Sequence, residues 1–213
     1  MLTAAETLAR LRAGNQRYVS NVISIDALTS HARRAELAPG QTPSAVILGC
    51  SDSRVPAELV FDQGLGSLFV VRVAGNIVAP SQVGSVEFAA ESLGCRLVVV
   101  LGHTQCGAVT AAVEQQRQPS YGQSTNLRAI VDRVRRSVED ELKTNPLAND
   151  ETLIDRAVRA NVRASTHLLR HGSLVLERLI RNEGLAVVGA EYSLETGVVD
   201  FFDGADEIER DTP

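Results

Sequence analysis

Three short apolar runs stand out of an otherwise mixed chain: SAVILG at residues 44–49, LFVVRV at 68–73 and LVVVLG at 97–102. Each is rich in β-branched residues and lacks polar alternation, the pattern of strands covered on both faces. Between the second and third runs, residues 81–93 carry helical spacing and stop at Gly94. Strand, helix and strand in alternation predict an α/β fold, a central and mainly parallel β-sheet flanked by helices with right-handed connections. Thr3 and Glu6 have the spacing of a capping box, and Leu8, Leu11 and Tyr18 continue an apolar stripe, so a helix is expected at the N-terminus. Residues 20–43 read as a loop with a short helix over 31–37, ending in Pro39, Gly40 and Pro43. Beyond Cys106 the spacing predicts a helix to about Gln116. A second is marked by Leu127, Ile130, Val131, Val134, Val138 and Leu142, and a third, over 151–170, by Ile154, Ala157, Val158, Asn161, Ser165 and Leu168. A short helix fits 173–182. The run LAVVGA at 185–190 then leads into a strand pair turning at Glu195, Thr196 and Gly197.

The 213 residues, 44% of them hydrophobic, suit one core, so a single domain over 1–213 is expected: a helical arm over 1–40 and an α/β core over 41–213. A net charge of -5 gives no electrostatic footprint for nucleic acid or an acidic membrane surface. The basic residues are almost all arginine, with Lys143 the one lysine. No apolar stretch is long enough to span a bilayer, and the first 20 residues lack the apolar core of a signal peptide. Three cysteines are too few, and odd in number, for a disulfide framework. These features predict a cytoplasmic protein with reduced thiols.

Two polar stretches follow strand ends: CSDSR at 50–54 and GHTQCG at 102–107. Loops at the carboxyl ends of parallel strands form the ligand crevice of open α/β sheets, so these two can face each other. Either stretch alone is compatible with ordinary packing; together they offer Cys50, His103 and Cys106. Two thiolates and an imidazole are a catalytic zinc set, with a fourth position left open. Thiolate softness selects zinc over magnesium or calcium. Cys95 has no ligand type beside it and reads as a buried structural thiol. His31, His167 and His171 lack paired ligands and read as ordinary surface or helix residues. Asp52 and Arg54 lie two and four residues past Cys50, on one side of an extended turn. A carboxylate there accepts a hydrogen bond from water on the metal, and arginine fixes it with a two-pronged contact. Zinc lowers the pKa of bound water to about 7. The residues thus reach a zinc-hydroxide nucleophile with an orienting pair, and leave the substrate open.

The stretches CSDSRVPAE, FVVRVAGN, GSVEFA and GHTQCGAV, in that order, resemble the β-class carbonic anhydrases, and the similarity runs from about Thr3 to Phe202. The resemblance implies Zn2+ on Cys50, His103 and Cys106, a catalytic dyad of Asp52 and Arg54, and reversible hydration of carbon dioxide to bicarbonate and a proton. It further implies that Gln41 contacts bicarbonate, that Phe69 and Ala74 line the pocket, and that the backbone amide near Gly107 steadies substrate oxygens. Phe88 stands where many relatives have tyrosine, so a hydroxyl contact is missing. In some relatives the Asp52 equivalent leaves arginine and becomes a fourth zinc ligand. A bacterial subgroup holds inhibitory bicarbonate with a tryptophan, an arginine and a tyrosine; here those positions read Ile47, Arg72 and Tyr192, so that second site is expected to be missing or weak. Relatives assemble as dimers or pairs of dimers, with the N-terminal helix embracing the partner.

Other readings of the same ligands fit less well. A zinc deaminase needs a glutamate where Gln105 stands and a PCxxC that this chain lacks. An alcohol dehydrogenase with two cysteines and a histidine on its zinc needs a dinucleotide fingerprint, and GLGSLF at 64–69 lacks the third glycine. Hydrolysis of carbonyl sulfide or carbon disulfide uses the same metal site and stays open on the ligands alone. A non-catalytic zinc scaffold would have no use for Asp52 and Arg54 beside its metal.

Overall fold

The computed structural model describes residues 2–23, 30–118, 124–145 and 147–210; residues 24–29 of the expected 20–43 loop lie outside the described residues. In chain order the elements are α1 (Ala4–Val19), α2 (His31–Leu37), β1 (Ala45–Gly49), α3 (Ala57–Val60), β2 (Leu68–Arg72), a 3-10 turn (Ala74–Asn76), α4 (Pro80–Ser92), β3 (Leu97–His103), α5 (Gly107–Arg117), α6 (Thr125–Thr144), α7 (Asp150–His171), α8 (Leu174–Glu183), β4 (Ala186–Tyr192), β5 (Val199–Asp203) and α9 (Ala205–Arg210). The sheet order is β2-β1-β3-β4-β5. The first three pairings are parallel and β4–β5 is antiparallel.

Period-two alternation explains why the central strands are apolar throughout. Ala45 and Ile47 of β1, with Leu97, Val99 and Leu101 of β3, face one layer, where Leu8 and Leu11 of α1 and Val60 of α3 cover them. Val46, Leu48, Val98 and Val100 face the other, against Val86 and Ala89 of α4, Val162 and Leu169 of α7, and Leu176 and Leu179 of α8. A third cluster caps the carboxyl end of the strands. There Val109 and Val113 of α5, Val131, Val134 and Val138 of α6, and Leu153, Ala157 and Val158 of α7 surround Cys50 and Cys106.

Local signals match the element ends. The Thr3–Glu6 capping box forms, with Thr3 N–H donating to the Glu6 carboxylate at 2.8 Å. Helix α4 opens with Pro80 at its first turn and ends before Gly94 in the left-handed region. The buried stripe of α7 differs from the expected one at both ends: Leu153 and Leu169 are buried instead of Ile154 and Leu168, and Leu168 is exposed. Helix α7 packs against β3, β4, α5, α6 and α8 together, so its covered face is wider than one stripe and swings along its length. Leu127, counted in the stripe of α6, is also exposed. Helices α3 and α9 are too short for a periodic signal. Among the described residues no helix is long and apolar enough to cross a membrane.

Helix α1 comes close to the sheet layer at Gly14 and Asn15. Asn15 spends its whole amide there: Nδ2 donates to the carbonyls of Val60 (3.1 Å) and Gly197 (2.8 Å), and Oδ1 accepts from Val199 N–H (2.9 Å). Beside it, a Cβ on Gly14 would meet the Phe61 carbonyl oxygen at 1.9 Å, whereas one on Gly40 would meet nothing within 4 Å. Overpacking of this kind costs about 1–3 kcal/mol. Gly14→Ala is therefore expected to lower Tm by about 2–12 °C in a thermal melt, with Gly40→Ala unchanged as the control.

Candidate metal centre

Strands β1 and β3 are neighbours with Gly49 opposite Leu101, so the residues leaving their carboxyl ends emerge side by side. Cys50 follows β1 directly, and His103 is the last residue of β3. Gln105 takes a positive φ of 55°, which reverses the chain and brings Cys106 back as the residue capping α5. The ligand atoms of Cys50, His103 and Cys106 all lie within 4.8 Å of one another, and all three residues are buried.

The hydrogen bonds around them prepare a metal site. His103 Nδ1 lies 2.8 Å from the Thr104 carbonyl oxygen, which can only accept, so Nδ1 carries the proton and Nε2 presents its lone pair. That Nε2 is buried and has no hydrogen-bond partner, an arrangement that a cation held with the two sulfurs would satisfy. Cys50 Sγ accepts from Gly75 N–H at 3.3 Å. The Cys106 thiol, His103 and Gly75 N–H together hold the Cys50 thiol down to about 4 against the opposing cost of burial. Cys106 is pushed up, first by its hydrogen bond to the Cys50 sulfur and then by burial. Burial lowers His103, but Cys50, the Thr104 carbonyl and Asp52 together raise it and the net shift is upward. A dication bound by both sulfurs would displace any proton they carry. A soft donor set of two sulfurs and one nitrogen fits zinc.

The Asp52–Arg54 pair forms as the spacing predicts. Asp52 Oδ1 accepts from the Arg54 N–H (2.9 Å) and Nε (2.9 Å), and Oδ2 accepts from the terminal guanidinium nitrogen (2.7 Å). Arg54 holds the carboxyl well below the usual carboxylate range, against a smaller opposing effect of burial. Oδ2 sits 3.9 Å from His103 Nε2, so the carboxylate borders the ligand cluster. Arg54 also reaches the Gln105 carbonyl at 3.5 Å and so links the two loops. A second arginine braces the first loop from the sheet: Arg72 Nε donates to the Cys50 carbonyl (2.9 Å) and its terminal nitrogen to that of Asp52 (2.5 Å).

Of the other expected site residues, Ala74 begins the turn that carries Gly75, and Gly107 is the exposed first residue of α5, so both adjoin the cluster. Gln41, Phe69 and Phe88 do not join it. Gln41 is exposed and precedes β1, at the opposite end of the sheet from Cys50. Phe69 is the second residue of the edge strand β2, and its ring stacks on the half-exposed Phe88 ring of α4 at 6.1 Å. Ile47 is buried in β1, and the Tyr192 hydroxyl pairs with that of Tyr18 at 3.1 Å. Cys95 is buried as expected, with Sγ 3.3 Å from the Pro43 carbonyl oxygen. His31, His167 and His171 are exposed. Sequence reasoning missed the Arg72 brace, the Thr104 carbonyl and the Gly75 amide; only the turn-forming Gly75-Asn76 pair after a strand hinted at the last.

The carbonic anhydrase family profile matches residues 45–199, a span that holds the three candidate ligands, Asp52 and Arg54. The chain belongs to the carbonic anhydrase family. It is 38% identical over 191 residues to carbonic anhydrase 2 of Mycobacterium tuberculosis, covering 88% of this chain and 87% of that one. It is 36% identical over 193 residues to a carbonic anhydrase of Mycolicibacterium smegmatis, covering 89% of each. Among solved structures, the β-carbonic anhydrase CafA of Aspergillus fumigatus superposes with a TM-score of 0.74 at 25% identity, covering 96% of this chain and 95% of that one. A chain from a pair of tetrameric β-carbonic anhydrases of Sordaria macrospora shares the fold, with a TM-score of 0.73 at 22% identity over 92% of this chain and 96% of that one. The carbonic anhydrase fold here is the β-class one, and zinc is the cofactor of that class.

Replacing a ligand should empty the centre and loosening its brace should weaken it. Cys50→Ser and Cys106→Ser are expected to purify with far less than one zinc per chain by elemental analysis, against about one for the wild type. Arg72→Ala is expected to keep zinc but to yield it to a competing chelator about 10–100-fold more readily.

Proposed function

We propose that this carbonic anhydrase family member catalyses the reversible hydration of carbon dioxide to bicarbonate and a proton, with zinc held by Cys50, His103 and Cys106. The observation that carries the reading is the carboxylate of Asp52, gripped by Arg54 and placed 3.9 Å from His103 Nε2 beside a three-ligand set. When bound, zinc supplies a Lewis acid that makes hydroxide available near neutral pH. Asp52, kept ionised by Arg54, is an acceptor-only group and so can hold an O–H in one orientation beside the metal. Arg54 occupies both oxygens of that carboxylate and so keeps Asp52 from becoming a fourth metal ligand; the closed arrangement requires breaking these contacts. Ala74 offers a small apolar wall. The amide of Gly107 opens a helix whose positive end favours developing negative charge on a substrate oxygen.

Gln41, Phe69 and Phe88 act on the substrate only if a second copy brings them to the centre. Strand β2 is an edge, and its Phe69, Val70 and Val71 are only half-buried, which supports a homodimer along that edge and a dimer of dimers beyond it. Helix α1 would then serve as the arm over 1–40, docked on a 41–213 core within one domain. Free thiols support a reducing, cytoplasmic setting. Arg72 turns its Nε and one terminal nitrogen to the carbonyls of Cys50 and Asp52, which supports the absence of a second bicarbonate site.

Stopped-flow hydration of carbon dioxide from about pH 6.5 to 9 should show activity rising with pH in the zinc-loaded wild type. In Asp52→Ala a loss of about 100-fold or more is expected at full zinc content. One zinc per chain with no hydration at any pH would overturn the reading. Crystals soaked in bicarbonate are expected to show none beside Arg72, and density there would disprove the single-site reading.

A further inference from the structure

Helix α7 buries three polar residues; besides Thr166, they are Asn161 and Ser165, each 3% exposed. Both reach the turn after β2. Asn161 Nδ2 donates to the Gly75 carbonyl at 2.8 Å, and Ser165 Oγ donates to the Asn76 carbonyl at 3.1 Å. Gly75 and Asn76 are consecutive residues with positive φ, 69° and 41°, and Asn76 N–H donates to the Val73 carbonyl at 3.0 Å across the turn. A glycine has the widest backbone freedom of any residue, and an asparagine in this region is uncommon, so such a turn depends on ties from outside. No side chain could supply one from Gly75 itself, because a Cβ there would meet Ala108 at 3.0 Å and Val134 at 3.3 Å. The two hydrogen bonds from α7 are those ties. On the other side of the same residue, the Gly75 N–H points at the Cys50 sulfur.

We infer that Asn161 and Ser165 are positioning residues of the metal centre: by gripping the carbonyls of Gly75 and Asn76 they aim the Gly75 amide at the Cys50 sulfur and so temper the electron donation of that sulfur to the metal. The inference rests on Cys50 being a metal ligand. A hydrogen bond to a thiolate lowers the energy of its lone pairs, so the sulfur donates less charge and the metal stays more electrophilic. The same two residues give α7 a direct line to the metal through one turn, although neither touches the ligands.

Cobalt(II) loaded in place of zinc reads the sulfur directly, through the sulfur-to-cobalt charge-transfer absorption. Asn161→Ala is expected to move this band to lower energy, and the nearly isosteric Ser165→Ala to move it by less. Leu169→Ala, a buried truncation on the same helix in a different cluster, is expected to leave the band where the wild type has it while lowering Tm. An unmoved band in both polar variants, or an equal movement in Leu169→Ala, overturns the inference while leaving the metal site standing. Should Asn161→Ala fail to fold, Ser165→Ala against Leu169→Ala decides alone. A wild type that takes up cobalt with no sulfur band removes the metal-site reading, and the inference with it.

Discussion

The parallel register between β1 and β3 is the constraint on which the metal centre depends. With Gly49 opposite Leu101, the chain leaves both strands at one level, and Cys50 and His103 need no long loop to meet. A slip of one residue would turn every side chain of β1 to the other face and carry Cys50 away. The register is held because both faces of both strands are buried in separate apolar layers, so neither alternation can be exchanged without exposing one of them. Core packing and ligand geometry are therefore one requirement.

Around the ligands, polar groups are matched almost one to one. Backbone groups do most of this: the Thr104 carbonyl sets the histidine tautomer, and the Gly75 amide meets one sulfur. Two arginines divide the work on the CSDSR loop. Arg54 holds the side chain of Asp52, and Arg72 holds the carbonyls of Cys50 and Asp52 from beneath. Both use the planar fork that lysine lacks. His103 Nε2 is left with a buried lone pair that no described group meets.

The sequence made the strands, the ligand residues and the Asp52–Arg54 pair legible, because each is written in side-chain types at positions that a parallel sheet gathers at one end. The Thr104 carbonyl and the Gly75 amide were illegible, since every residue has such groups and only backbone angles aim them. The buried face of α7 was half legible: Asn161 and Ser165 fell on the expected stripe, but five packing partners widened it and moved its ends to Leu153 and Leu169. Gln41, Phe69 and Phe88 were legible as residues and not as places, because a parallel strand keeps its start a full strand length from the carboxyl end where the ligands gather.

Cys95 lies at the entry of β3, far along the strand from the ligands, buried and with its thiol pushed up to about 11 by that burial. Such a sulfur is scarcely nucleophilic at neutral pH and is shielded from reagents. Alkylating agents applied to the folded chain therefore distinguish two kinds of thiol, one silent and two whose reactivity a metal held by Cys50, His103 and Cys106 would govern. Any third modified sulfur signals that the sheet itself has opened, so the protein carries an internal reporter separating loss of the ion from loss of the fold.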